Sequence, residues 1–201
     1  MTRNSTSKST GKSPSSTRQR TTAKTSSEDA LHLLAEDHKK VIEMFDDFQE
    51  LKEENSEDEE AMQQMVEMTC AELTIHTQVE EELFYPAARE AIDDMDLLDE
   101  AEVEHASARQ LITELAAMQP GDELYAAKFK VLGEYVKHHI KEEEKELFPK
   151  LKKTKIDLVE LGEEIRQRKL ELRDELGVPS IEEDEDDEED SARTQTRRNV
   201  H

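Results

Sequence analysis

Six residues able to ligate a metal recur at helical spacing in this chain. His76 and Glu80 are four residues apart, as are His139 and Glu143, so each pair lies one turn apart on one face of a helix. His38 precedes the first pair by 38 residues, and His105 precedes the second by 34. Both pairs open a repeated phrase. His76-Thr-Gln-Val-Glu80 is followed by Glu81, Phe84, Tyr85 and Pro86, and His139-Ile-Lys-Glu-Glu143 by Glu144, Leu147, Phe148 and Pro149. Each proline falls ten residues after its histidine. The pattern reads as a helical hairpin with three ligating residues, present twice, and predicts two metal ions related by a pseudo-dyad. Imidazole with carboxylate is a donor set suited to iron, zinc and manganese among others.

The elements that must position these side chains follow from apolar periodicity. Leu31, Leu34, His38, Val41, Phe45 and Phe48 form one seam, and Met62, Met65, Thr69, Leu73, His76, Glu80 and Leu83 a second. Leu98, Ala101, His105, Ala108, Ile112 and Leu115 form a third, and Leu132, Val136, His139, Glu143 and Leu147 a fourth. The six polar residues therefore interrupt inward-facing stripes. Burying two carboxylates with no Lys or Arg on those stripes costs several kcal/mol each, and a cation supplies the missing charge. Asp96 and Asp122 are expected to cap the third and fourth helices, the latter after the Pro120-Gly121 break. Four amphipathic helices with short connections predict an all-α, antiparallel up-down four-helix bundle. Lys155 to Leu176 reads as an additional, highly charged C-terminal helix anchored by Ile156, Val159, Ile165 and Leu172 and stopped at Gly177.

Charge divides the 201 residues further. Residues 1–27 carry six bases and no acid and are rich in Ser and Thr, while residues 182–190 are nine consecutive acids. Both are expected to be disordered tails, 1–27 and 177–201, around a folded domain at 28–176. The tail charges cancel, so the middle retains the whole net charge of −24. Such a surface repels anionic membranes and nucleic acid, so neither is expected as a partner of the folded domain. One cysteine, Cys70, excludes an internal disulfide framework and fits a reducing, cytoplasmic location, and no apolar run is long enough to span a membrane.

With these motifs the sequence resembles the hemerythrin-like, HHE cation-binding family over roughly residues 28–176. The resemblance rests on His38, His76-x-x-x-Glu80, His105, His139-x-x-x-Glu143 and the trailing Phe/Leu-Phe/Tyr-Pro phrases. It implies a non-haem centre of two iron ions with an oxo or hydroxo bridge, His38, His76, His105 and His139 as terminal ligands, and Glu80 and Glu143 as bridges. The oxygen-carrying members have a further His and an Asp where this chain has Arg109 and Glu144. The site is thus richer in carboxylate, which favours the ferric state over reversible oxygen storage. The resemblance points instead to a small oxidant, whether peroxide, NO or O2, met by a catalase-like or other di-iron enzyme or by a sensor. A cation-binding module without turnover and a metal-free acidic scaffold are the alternatives.

Other candidates are assigned blander roles. His138 and Glu142 form a second pair shifted by one residue, but the aligned prolines favour His139 and Glu143. Asp37 and Glu104 read as surface acids, and Glu81 and Glu144 as solvated acids, with acceptance of hydrogen bonds from the ligands as the alternative for those two. Tyr135 reads as a packing residue, with a hydrogen bond or a place near the metal ions as the alternative, Cys70 as a small core residue, and Met62, Met65 and Met68 as packing rather than ligands. His32 and His201 lack partner spacing.

Overall fold

The structure, a computed structural model, describes residues 28–53 and 58–179. The expected tail 1–27, and all but the first three residues of 177–201, lie outside the described residues. Among the described residues, five helices make up the fold. Helix α1 is Ala30–Glu53. Helix α2 runs from Glu59–Val79 through a π-helical turn, Glu80–Phe84, into Tyr85–Ala91. Helix α3 is Met95–Ala116. Helix α4 repeats the device, with Tyr125–Glu142, a π turn at Glu143–Leu147, and Phe148–Leu151. Helix α5 is Leu158–Leu176.

Two apolar clusters fix the up-down arrangement. One joins the start of α1 (Ala30, Leu31, Leu34), the end of α2 (Phe84, Tyr85, Ala88), the start of α3 (Leu98, Ala101) and the end of α4 (Leu147, Phe148, Leu151). The other joins Val41, Phe45 and Phe48 with Val66 and Leu73, then Ala108 and Leu115 with Phe129, Leu132, Val136 and Ile140. Helix starts meet helix ends in each cluster, so successive helices are antiparallel, as the short connections predict. The six polar seam residues are all buried and form a layer between the two oily ends. A polar layer boxed in by apolar clusters sees little water, which strengthens every electrostatic interaction within it.

Helix α5 packs against the first cluster through Leu161, Ile165 and Leu172. A Cβ on Gly162 would come within 2.7 Å of the Glu28 carbonyl and 2.9 Å of the Ala30 nitrogen, so only glycine permits this approach of α5 to the start of α1. The helix begins three residues later than the periodicity suggests, because Asp157 accepts from the N–H groups of Val159 and Glu160 at 3.1 and 3.0 Å. Val159 is half exposed rather than an anchor. Gly177 closes the helix in the left-handed conformation at φ 65°, as expected. Two caps differ from the sequence reading. Asp94, not Asp96, precedes α3, and Asp122 accepts the Gln119 N–H at 2.8 Å within the turn, leaving Leu124 at φ 72° before α4.

Candidate metal centre

The two π turns begin at Glu80 and Glu143. In each, the N–H five residues on, that of Tyr85 or Phe148, donates to the glutamate's own carbonyl. A proline follows at once, Pro86 or Pro149, with no N–H to offer and a ring that crowds the preceding turn. Widening that turn by one residue accommodates it. The consequence is positional: residue i+5, not i+4, lies beneath each glutamate.

The structure brings all six predicted side chains together. His76 Nε2 lies 3.2 Å from Glu80 Oε1, and His38 Nε2 lies 3.3 Å from Glu143 Oε2 and 4.0 Å from Glu80 Oε1. His105 Nε2 is 3.4 Å from Glu80 Oε2, and His139 Nε2 is 3.8 Å from Glu143 Oε2. The ligating atoms of His38, His76, Glu80 and Glu143 form one tight group, and those of Glu80, His105 and His139 another, with Glu80 common to both. His138 is turned outward and half exposed beside Glu142, so the aligned-proline register is the one that faces inward.

Four further carboxylates surround the histidines: Asp37 and Glu104, expected on the surface, and Glu81 and Glu144, for which the acceptor role is the alternative reading. Each accepts from one Nδ1: Glu144 from His38 at 3.0 Å, Asp37 from His76 at 3.4 Å, Glu81 from His105 at 3.0 Å, and Glu104 from His139 at 2.9 Å. The arrangement repeats like the sequence. The acid before each lone histidine (Asp37, Glu104) serves the histidine of the next helix, and the acid after each inner glutamate (Glu81, Glu144) serves the lone histidine of the other half. Arg109 contacts Glu81, and Lys169 of α5 contacts Asp37. The two positions that depart from the oxygen carriers, Arg109 and Glu144, thus both belong to this outer ring.

Electrostatics and hydrogen bonding agree on what the layer requires. With each Nδ1 bonded to an acid, the four Nε2 atoms face inward. His38 Nε2, His76 Nε2, both Glu80 oxygens and Glu143 Oε2 are buried without a hydrogen-bond partner. Burial alone would lower His76, but Glu80 and Asp37 outweigh it and raise the imidazole to about 10. Burial would raise Glu80, but His76 and His105 hold it well below the usual carboxylate range. The layer therefore recruits positive charge, and a cation held by nitrogen and oxygen donors satisfies the orphaned atoms. The residues fit a metal.

One inner residue was missed by sequence reasoning. Tyr85, five residues after Glu80, is buried, and its hydroxyl donates to Glu143 Oε1 at 3.0 Å while lying 3.2 Å from His105 Nε2 and 3.4 Å from His139 Nε2. Burial and the Glu143 and Glu80 carboxylates push its phenol well above the ordinary value, so it keeps its proton. Its place in the repeated phrase was visible; the π turn that aims it inward was not. Above the layer, Val41, Leu73, Ala108, Val136 and Ile140 wall a cavity that reaches all four histidines. Tyr135, half exposed, stands at its edge instead of packing in the core. Cys70 is partly buried against the second cluster, with its thiol pushed up by burial and Glu67 to about 12. Met62 and Met65 pack there too, whereas Met68 is exposed.

Comparison with known proteins bears on the fold and the family. A crystal structure of a hemerythrin HHE cation binding domain-containing protein from Mycobacterium kansasii superposes with a TM-score of 0.62 at 23% identity, covering 74% of this chain and 89% of that one, a likeness of fold. A protein of Nostoc sp. (strain PCC 7120) described as a DNA nickase is 28% identical over 112 residues, which is 56% of this chain but only 30% of that protein. Among the described residues no helix is long and apolar enough to cross a membrane. The model of the hemerythrin HHE cation binding domain matches residues 29–151, more than half of the sequence, and the chain belongs to that family.

Proposed function

We propose that His38, His76, His105, His139, Glu80 and Glu143 hold two iron ions, and that the centre meets a small oxidant such as peroxide, NO or O2. The observation that carries this reading is the set of five buried, inward-facing nitrogen and oxygen atoms without hydrogen-bond partners. Isolated buried polar atoms are costly, and five converging in one layer share one remedy. When bound, an iron pair supplies the electrons that a small oxidant requires.

The chain's own residues do the rest. Asp37, Glu81, Glu104 and Glu144 fix the tautomer and ring orientation of the four histidines and raise their donor strength. The apolar residues of the cavity wall lower the polarity beside the histidines, and the cavity is of a size for a small ligand. The strand-cleaving activity in the name of the Nostoc relative is not carried over, since the match spans under a third of that protein and the acidic surface here repels DNA. The test is elemental analysis of untagged protein, with two irons per chain expected. Glu143→Ala should lose iron and stability together, and unchanged iron content would overturn the ligand set. Adding peroxide to the iron protein then separates turnover, read as oxygen evolution, from sensing.

A further inference from the structure

His138 and Glu142, the pair shifted by one residue, share the i, i+4 spacing of the inner ligands but face the surface. Their counterparts in the first half are Ile75 and Val79, which precede His76 and Glu80. Both are buried in the cluster that α5 joins through Leu161 and Ile165, so the groove between α1 and α2 is apolar and covered. Asp37 in that groove is met by Lys169 of α5. The equivalent groove between α3 and α4 is open and polar. His138 is 57% exposed there, with Glu142 at 26% and Glu104, the counterpart of Asp37, at 22%. Among the described residues no Lys or Arg pairs with either acid.

His138 Nε2 lies 3.3 Å from Glu142 Oε1 and 3.7 Å from Glu104 Oε1, and the three donors form one group. Donors held about 2.1 Å from one ion in a tetrahedral array are about 3.4 Å apart, so this spacing suits a divalent cation. Glu104 faces both ways, with its other oxygen on His139 Nδ1 at 2.9 Å. A narrow cavity, with room for about one water-sized species, is lined by the partly exposed Glu104 and Glu142 and by the buried His139 and Glu143. Glu143 Oε2 is one of the buried atoms without a hydrogen-bond partner.

We propose that Glu104, His138 and Glu142 form an outer site for a divalent cation, through which cations reach the buried layer. One imidazole and two carboxylates suit Fe2+, Mn2+ or Zn2+. With three protein ligands and its other positions open to water, this site exchanges its ion and loses it on desalting, so it adds nothing to the metal content of purified protein. Glu143 and His139 replace the outer donors as the layer fills. The outer site stands on its own geometry; its role in loading rests on the reading that the six inner residues hold metal.

Two measurements on the full-length protein test this. Metal-stripped protein is mixed by stopped flow with cobalt(II), whose visible bands report entry among the histidines. His138→Ala and Glu142→Gln should each slow loading at least tenfold and leave the final amplitude unchanged. Glu146→Gln removes an exposed acid one turn further along α4 and should slow loading less than twofold. Zinc-loaded, desalted protein is then titrated with manganese(II) and followed by NMR. The His138 imidazole resonances should broaden well before those of His32, which lies between Glu28 and Glu36 on the exposed side of α1. Equal broadening would show an acidic surface gathering ions without a site. That result, unchanged loading in His138→Ala and Glu142→Gln, or equal slowing by Glu146→Gln would each overturn the inference and leave the inner centre standing. A wild type that takes up no cobalt while His138 still broadens would instead overturn the six-ligand reading, and the loading role with it.

Discussion

Glu80→Met should change protein stability in opposite directions with and without metal. Glu80 is fully buried, and neither carboxylate oxygen has a hydrogen-bond partner. Without a cation its charge is balanced by protonated imidazole, chiefly His76. Replacing a buried ion pair by an apolar group of similar shape is neutral or stabilising by about 1–4 kcal/mol. The usual penalty for breaking such a pair, an orphaned charge, does not arise, because His76 can release its proton once Glu80 is gone. In a folded unit of about 150 residues each kcal/mol moves Tm by about 2–4 °C. In excess chelator, then, the variant should melt as high as wild type or several degrees higher. With metal the sign reverses. An ion present at a thousand times its Kd adds about 4 kcal/mol. Glu80 belongs to both ligand groups, so its loss forfeits most of the stabilisation from two ions, about 8 kcal/mol at that ratio. Wild type should gain well over 10 °C on loading, and the variant little. The assay is thermal unfolding by circular dichroism with chelator and with metal. A variant that melts well below wild type in chelator would refute the reasoning, since Glu80 would then stabilise the fold without any cation.

Lys169→Met removes the cation beside Asp37 and loosens the orientation of His76, so metal affinity at the His38–His76 site should fall about tenfold, with Lys169→Arg retaining most of it, as read by competition with a chelating dye. His138→Ala should leave metal content unchanged and His139→Ala should reduce it, because only His139 faces inward; the reverse result would restore the shifted register. Gly162→Ala drives a methyl into the backbone at Glu28 and Ala30 and should cost about 1–3 kcal/mol, seen as a Tm lowered by several degrees. An unchanged Tm there would show that α5 is not clamped to α1.

The bundle and the inner ligands were legible because both depend on one period. His38 continues the row of Leu34 and Val41, and His105 the row of Ala101 and Ala108, so a spacing rule alone places them. The same rule does not place the outer carboxylates, for a geometric reason, and only the position of Glu81 and Glu144 next to the inner glutamates suggests an acceptor role as an alternative. Asp37 is one position from His38, about 100° round its helix, and so reads as a solvent-facing acid. It does not serve its own neighbour; it reaches His76 on the adjacent helix. A helical wheel describes one helix and is silent about the groove between two. Glu81, Glu104 and Glu144 share that geometry, and their recurrence at equivalent places in both halves was the available signal.

Tyr85 shows the other way in which periodicity fails. Counted on a regular α-helix, a residue five after Glu80 points well away from it, and Leu83 continues the seam. The π turn shifts the frame, so Phe84 and Tyr85 are buried while Leu83 is only partly so. Once Pro86 is recognised as the cause, the same shift applies at Pro149 and places Phe148 against His38. The repeat therefore gives a symmetric scaffold in which the backbone distortion, the inner glutamate and the outer acids all occur twice. Within the buried layer, what distinguishes the two halves is the side chain delivered by an identical distortion, a phenol in one and a phenyl ring in the other.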